Sequence, residues 1–267
     1  MIGKVIKHDL RASGLLYGVG FLISLFIAVG TMLNRNTFYS ENMLLRASIL
    51  MTACIVCVAA LVLLFLIHTA LRYDRSMYGE EGYLTFTLPL SAPQLVLGKF
   101  AAAVIWALCV SAMCGLLLFS ILYSAVSVDA ADAFWREVAG LLRDPEVFYG
   151  LASTAGVMIV SLIENVALIF VAITIAYLPA IRRGNGILAV ILYFGIGFVE
   201  SKLMNAIPGF SEQGIEMALD AALAEGEMHF FGALGDLFSA TMIWGVVFTA
   251  LYLTVTIGLV RKFTALR

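Results

Sequence analysis

The sequence predicts an all-α polytopic membrane protein, with six transmembrane helices and an N-terminal amphipathic interfacial helix in a single domain over residues 1–267. Three observations carry that prediction. The chain is 62% hydrophobic and only 13% charged, with a mean hydropathy of +1.01, whereas a soluble domain is about 45–50% apolar and about 25% charged. Uncharged runs of the roughly 20 residues that a helix needs to cross the hydrocarbon core recur along it. The basic residues are also divided unevenly among the connecting segments, as the positive-inside rule requires of a multi-pass chain.

The elements follow in order. Over residues 1–13, Ile2, Val5, Ile6 and Leu10 share one helical face, and Lys4, Lys7, His8 and Arg11 lie elsewhere on the wheel. That is the pattern of a helix lying in the membrane interface. Spans follow at residues 15–33, 47–68, 101–123, 148–178 and 237–260, with a shorter one at 187–199 that ends in Glu200 and Lys202. An even number of crossings requires the short one. The first apolar stretch is longer than the roughly 7–15 residues of a signal-peptide core, so it reads as a span that stays in the chain. Cys54, Cys57, Cys109 and Cys114 all sit in apolar runs, where a thiol packs as a small hydrophobe. The CxxC spacing of Cys54 and Cys57 lacks the further ligands or soluble redox context that a zinc or thiol-exchange reading needs.

Loop charge gives the orientation. Lys4, Lys7, Arg11, Arg72, Arg75, Lys99, Arg182, Arg183, Arg261, Lys262 and Arg267 fall on one side, and only Arg35, Arg46, Arg136, Arg143 and Lys202 on the other. The first side is expected to be cytoplasmic, and it includes both termini. Acids gather on the outer side, in the segments after the third and fifth spans. A formal charge of −2 and a pI near 5.9 argue against nucleic acid as a partner.

The cytoplasmic segment 71–99 is the most informative. Gly79 and Gly82 bracket Glu80 and Glu81, and then Leu84, Phe86 and Leu88 alternate with Thr85 and Thr87 until Pro89 ends the pattern. Ser91 and Gln94 form an S-x-x-Q capping box for the third membrane helix. A short turn held at the membrane face, with carboxylates and apolar side chains, suits docking of a soluble partner; it suits packing beneath its own bundle equally well.

The string GEEGYLTFTLPLSAPQLVLGK closely resembles the cytoplasmic loop of ATP-binding-cassette exporter permeases of the type 2 class, in particular the small six-helix permeases of bacteria. The resemblance implies a bacterial plasma-membrane permease. Its loop would carry the coupling helix that docks into an ATPase subunit, a role that falls on Tyr78, Gly79, Glu80, Glu81, Gly82, Tyr83, Leu84, Thr85, Thr87, Leu88 and Pro89. It also implies a second permease chain, as a homo- or heterodimer. ATP and Mg would bind in the partner ATPase subunit, since no G-x-x-x-x-G-K-[ST] phosphate loop occurs in this chain. No cofactor, metal or catalytic residue is expected here.

Glu164 and Asn165 lie near the middle of the long fourth run. A carboxyl at that depth is costly unless it faces the bundle interior or water, so the pair is a candidate for the translocation pathway or for an interhelical hydrogen bond. The outer segment 200–236 holds Ile215, Leu219 and Leu223 at helical spacing beside Glu216, Asp220 and Glu225. This reads as an amphipathic outer helix, to which the resemblance assigns a lid-like role. His229 beside Phe230 and Phe231 reads as an interfacial anchor. An intramembrane enzyme fits less well: no HExxH occurs, and His8, His68 and His229 lie far apart in the expected topology. A channel or secondary transporter would be expected to show inverted repeats or charge-lined broken helices. Export and an immunity or sensing role are not separable from sequence.

Overall fold

The computed structural model describes residues 2–33, 43–79, 82, 91–125, 131–178, 186–207, 210–225 and 227–265. Eight α-helices run through them: α1 (Ile2–Leu33), α2 (Met43–Met77), α3 (Ala92–Ala125), α4 (Ala131–Leu141), α5 (Pro145–Ala176), α6 (Gly186–Asn205), α7 (Glu212–Glu225) and α8 (Glu227–Ala265). Six of them, all but α4 and α7, are long and apolar enough to cross a bilayer. The protein is therefore a polytopic all-α membrane protein, and each expected span has its helix.

The surface is the inverse of a soluble protein's. Leu15, Phe26, Ile187 and Phe194 are 84%, 81%, 73% and 68% exposed, where lipid would cover them. The inner stripe of α1 is instead Asp9, Ser13, Tyr17, Ser24, Ala28 and Thr31. Small and hydroxyl-bearing residues let membrane helices approach closely, and their polar atoms must be satisfied locally because hydrocarbon offers no partner. Ser24 donates to the Gly20 carbonyl at 2.7 Å and Thr31 to that of Ile27 at 2.8 Å. Cys57 and Cys54 pack their sulfurs 3.6 Å from those same two hydroxyls, which makes them joints between α1 and α2.

The amphipathic segment at the N-terminus is helical and joins the first span with no loop between them, as one continuous α1. Asp9 explains why: it is buried at 7% exposure between α2 and α3, and Val5 and Ile2 pack against Gly98 at the start of α3. The third helix begins where its capping box places it, with the Ser91 backbone N–H donating to Gln94 Oε1 at 3.2 Å.

The spans form two groups, α1 with α2 and α3, and α5 with α6 and α8, and the longest interface is that between α5 and α8. The start of α5 is fixed by Asp144, whose side chain accepts from the Glu146 and Val147 N–H groups at 2.9 and 3.4 Å, with Pro145 in the first turn. The helix therefore starts three residues before the uncharged run. Glycines bring α5 and α8 together: a Cβ on Gly150 would lie 2.5 Å from the Phe231 carbonyl oxygen, and one on Gly235 would lie 2.3 Å from the Tyr149 ring. Helix α4, which the sequence reading passes over as an acidic loop, folds back so that Trp135 meets Phe119 and Tyr123 of α3, with ring centroids 5.9 and 6.2 Å apart.

Candidate functional site: a carboxyl-lined cavity among the spans

Of the loop residues singled out by sequence, Tyr78, Gly79 and Gly82 are described. Glu80, Glu81, Tyr83, Leu84, Thr85, Thr87, Leu88 and Pro89 lie outside the described residues. A Cβ on Gly82 would come within 2.6 Å of the Met77 carbonyl oxygen and one on Gly79 within 2.9 Å of that of Arg75, so the turn closes against the end of α2 only because both positions lack side chains. Tyr78 turns into the bundle. Its ring stacks on that of Tyr177 with centroids 4.6 Å apart and planes 1° from parallel. One turn earlier, Tyr73 stacks on Phe170 at 3.9 Å and its hydroxyl meets Thr174 Oγ1 at 3.0 Å. The ends of α2 and α5 are thus joined by a ladder of rings. Burial pushes the Tyr78 and Tyr177 hydroxyls up to about 12, so both remain neutral at physiological pH and the stack carries no charge. Tyr78→Ala is expected to destabilise the chain by about 2–4 kcal/mol in a detergent melt, and Tyr78→Phe by much less, because the ring stack survives. Equal losses would place the stabilisation in the hydroxyl instead.

Glu164 and Asn165 line a cavity of about 860 Å³ together with Tyr193, Phe194, Phe198 and Glu200. Helices α5 and α6 form its walls, and α8 closes behind Glu164, where a Cβ on Gly245 would stand 3.2 Å from Glu164 Oε2. Asn165 is fully engaged: its Nδ2 donates to the Ser161 carbonyl at 2.8 Å and its Oδ1 accepts from the Tyr193 hydroxyl at 2.6 Å. Its role in the structure is therefore to pin α6 to α5. Glu164 meets the Glu200 carboxyl, and Glu200 accepts from the Tyr252 hydroxyl of α8 at 2.6 Å. Glu164 Oε1 is buried and has no hydrogen-bond partner among the described residues. Sequence reasoning missed Glu200 because a charge near the end of a short apolar run was read as the boundary of the span.

A second polar cluster, also missed, ties three helices together. Asp9 of α1 accepts from Arg72 of α2 at 3.0 Å and faces Lys99 of α3 at 3.6 Å. Ser13 and His68 meet beside it at 2.8 Å. The partners on α1 and α2 lie more than fifty positions apart in the chain, so no local pattern announces them. Both helices that flank the loop are held by this one carboxylate. At the other end of the bundle, His229 lies 3.6 Å from Glu146. Helix α7 contributes Ala218, Ala221 and Ala222 to a nearby cavity of about 490 Å³. Ile215 and Leu219 are half-buried as the stripe predicts, but the inward face of α7 closes on buried Ala222, while Leu223 stays 53% exposed.

The fold and this cavity define a six-span helical membrane protein with a carboxyl-bearing chamber between its fourth and fifth spans, backed by the sixth. Among known proteins, no family model, no curated protein and no solved structure matches the chain.

Proposed function

We propose that the chain is the membrane-spanning permease subunit of an ATP-driven exporter of the type 2 ATP-binding-cassette class, seated in a bacterial plasma membrane with both termini in the cytoplasm. The observation that carries this reading is the string GEEGYLTFTLPLSAPQLVLGK at the join of the second and third spans, taken together with six helices of spanning length. In this reading a separate ATPase subunit binds ATP and Mg and grips the loop through Glu80, Glu81 and the residues that follow. A second permease chain, identical or related, completes the translocation unit, and a peptide, drug or other amphipathic molecule is the cargo. The chain itself catalyses no reaction. Binding of the ATPase without much transport, as in immunity or sensing, would use the same docking surface.

The test is association. The chain is expected to co-purify with a co-expressed ATP-binding-cassette ATPase subunit from the same genome. Glu80→Lys combined with Glu81→Lys is expected to weaken that complex by about tenfold or more, since reversing two rim charges sets like against like at the contact. Unchanged co-purification and unchanged ATP hydrolysis in the double variant would sink the docking assignment.

A further inference from the structure

The chamber between α5, α6 and α8 has the volume of a ligand site, about 860 Å³, within the roughly 300–1,000 Å³ of pockets that hold drug-sized molecules. We propose that it binds an amphipathic organic cation, a molecule with one positive centre on an aromatic or aliphatic body; its standing as cargo rests on the permease reading above.

Charge, shape and hydrogen bonding agree on that ligand class. Among the described residues, Glu164 and Glu200 both line the chamber and no Lys, Arg or His does. Two carboxyl groups facing each other away from water repel when both are charged, and a cation placed between them turns that repulsion into attraction. Other polar groups of the lining are already engaged: Tyr193 with Asn165, Asn165 with Ser161, and Glu200 with Tyr252. The buried Oε1 of Glu164 stands apart, with no hydrogen-bond partner among the described residues. A small turn of the Glu164 side chain would bring this unmatched acceptor to an incoming charge.

The rest of the lining selects the body of the ligand. Tyr193, Phe194 and Phe198 present rings beside the carboxyl pair, and ring faces attract cations, the more so when desolvated. Lys202 already illustrates this attraction, with its Nζ 5.4 Å from the centre of the Phe198 ring, although it does not line the chamber. A Ca²⁺ or Mg²⁺ ion fits poorly, because it requires six or more oxygens at about 2–2.6 Å and this chamber is too roomy, with too many of its oxygens engaged. The chamber is open-sided, and Phe194 at its edge is 68% exposed, so a hydrophobic cation could enter from the bilayer.

Equilibrium binding of tetraphenylphosphonium to the full-length chain in nanodiscs tests the inference without any ATPase. Saturable binding is expected, weakened about tenfold or more by Glu164→Gln, more again by adding Glu200→Gln, and severalfold by Phe194→Ala, whose lipid-facing ring can be removed without disturbing the packing. Neutral triphenylphosphine oxide is expected not to compete. Non-saturable uptake equal in wild type and in the double Gln variant would mean simple partitioning into lipid and would overturn the proposal. So would equal competition by the neutral analogue. If no ATPase associates but the cation binds as described, the export reading falls and the site stands. If the ATPase associates but the cation does not bind, only the ligand assignment falls.

Discussion

Asp9→Ala is expected to destabilise the protein by about 3–5 kcal/mol, the cost of leaving buried charge without its partner. The carboxylate lies 3.0 Å from Arg72 Nη2 and 3.6 Å from Lys99 Nζ, and the Lys99 side chain is only 7% exposed. Removing it leaves two cations facing each other in a poorly hydrated site. Asp9→Asn keeps the size and an acceptor oxygen but not the charge, so it is expected to recover little of the loss. The informative combination is Asp9→Asn with Lys99→Met, which removes one buried cation together with its counterion and is expected to restore part of the stability. Thermal unfolding of the purified chain in detergent measures all three. If the combined variant is as unstable as the sum of the two singles, Lys99 is stabilised by other contacts and the Asp9–Lys99 pair contributes little.

Gly150→Val should be nearly as damaging for a different reason. Its Cβ would meet the backbone of α8, 2.5 Å from the Phe231 carbonyl oxygen and 3.2 Å from the carbonyl carbon. A flexible side chain could swing away from such a clash; a helix backbone has to move as a body. The displacement would open the interface where Gly235 admits the Tyr149 ring and Gly245 admits Val160 and Glu164. Overpacking a close interface costs about 1–3 kcal/mol, and more where backbone must shift, so about 3 kcal/mol or more is expected here. Gly18→Ala provides the control: nothing lies within 4 Å of a Cβ at that position, and the change should be neutral or stabilising by up to about 1 kcal/mol because alanine restricts the unfolded chain more than glycine does. If Gly150→Val proved as stable as Gly18→Ala, the α5–α8 interface would be shown to give way at little cost.

The spans were legible in the sequence because hydrocarbon imposes a crude requirement, a long run without charge, that survives any detail of packing. The Ser91–Gln94 cap was legible because both partners lie within one turn. What escaped the sequence reading depends on residues far apart in the chain. Asp9 looks like one more polar position on an amphipathic face until Arg72 and Lys99 are folded around it. Glu200 marks the edge of an apolar run until α8 brings Tyr252 to it. Tyr78 belongs to a motif whose acidic neighbours suggest an outward face, and only the fold shows that its ring lies on that of Tyr177. Helix α4 hid among acids because its aromatic side, with Phe134 and Trp135, is only two residues wide in the sequence.

The ring ladder has a mechanical consequence. The two helices that flank residues 80–90 are moored to α1 by Asp9, and at the end of the first of them Tyr78 is fastened face to face with the foot of α5. A tug on that stretch would meet an anchored frame on one side and a long, stiff lever on the other. The middle of that lever carries Glu164, so a displacement at its foot would be passed to the carboxyl pair.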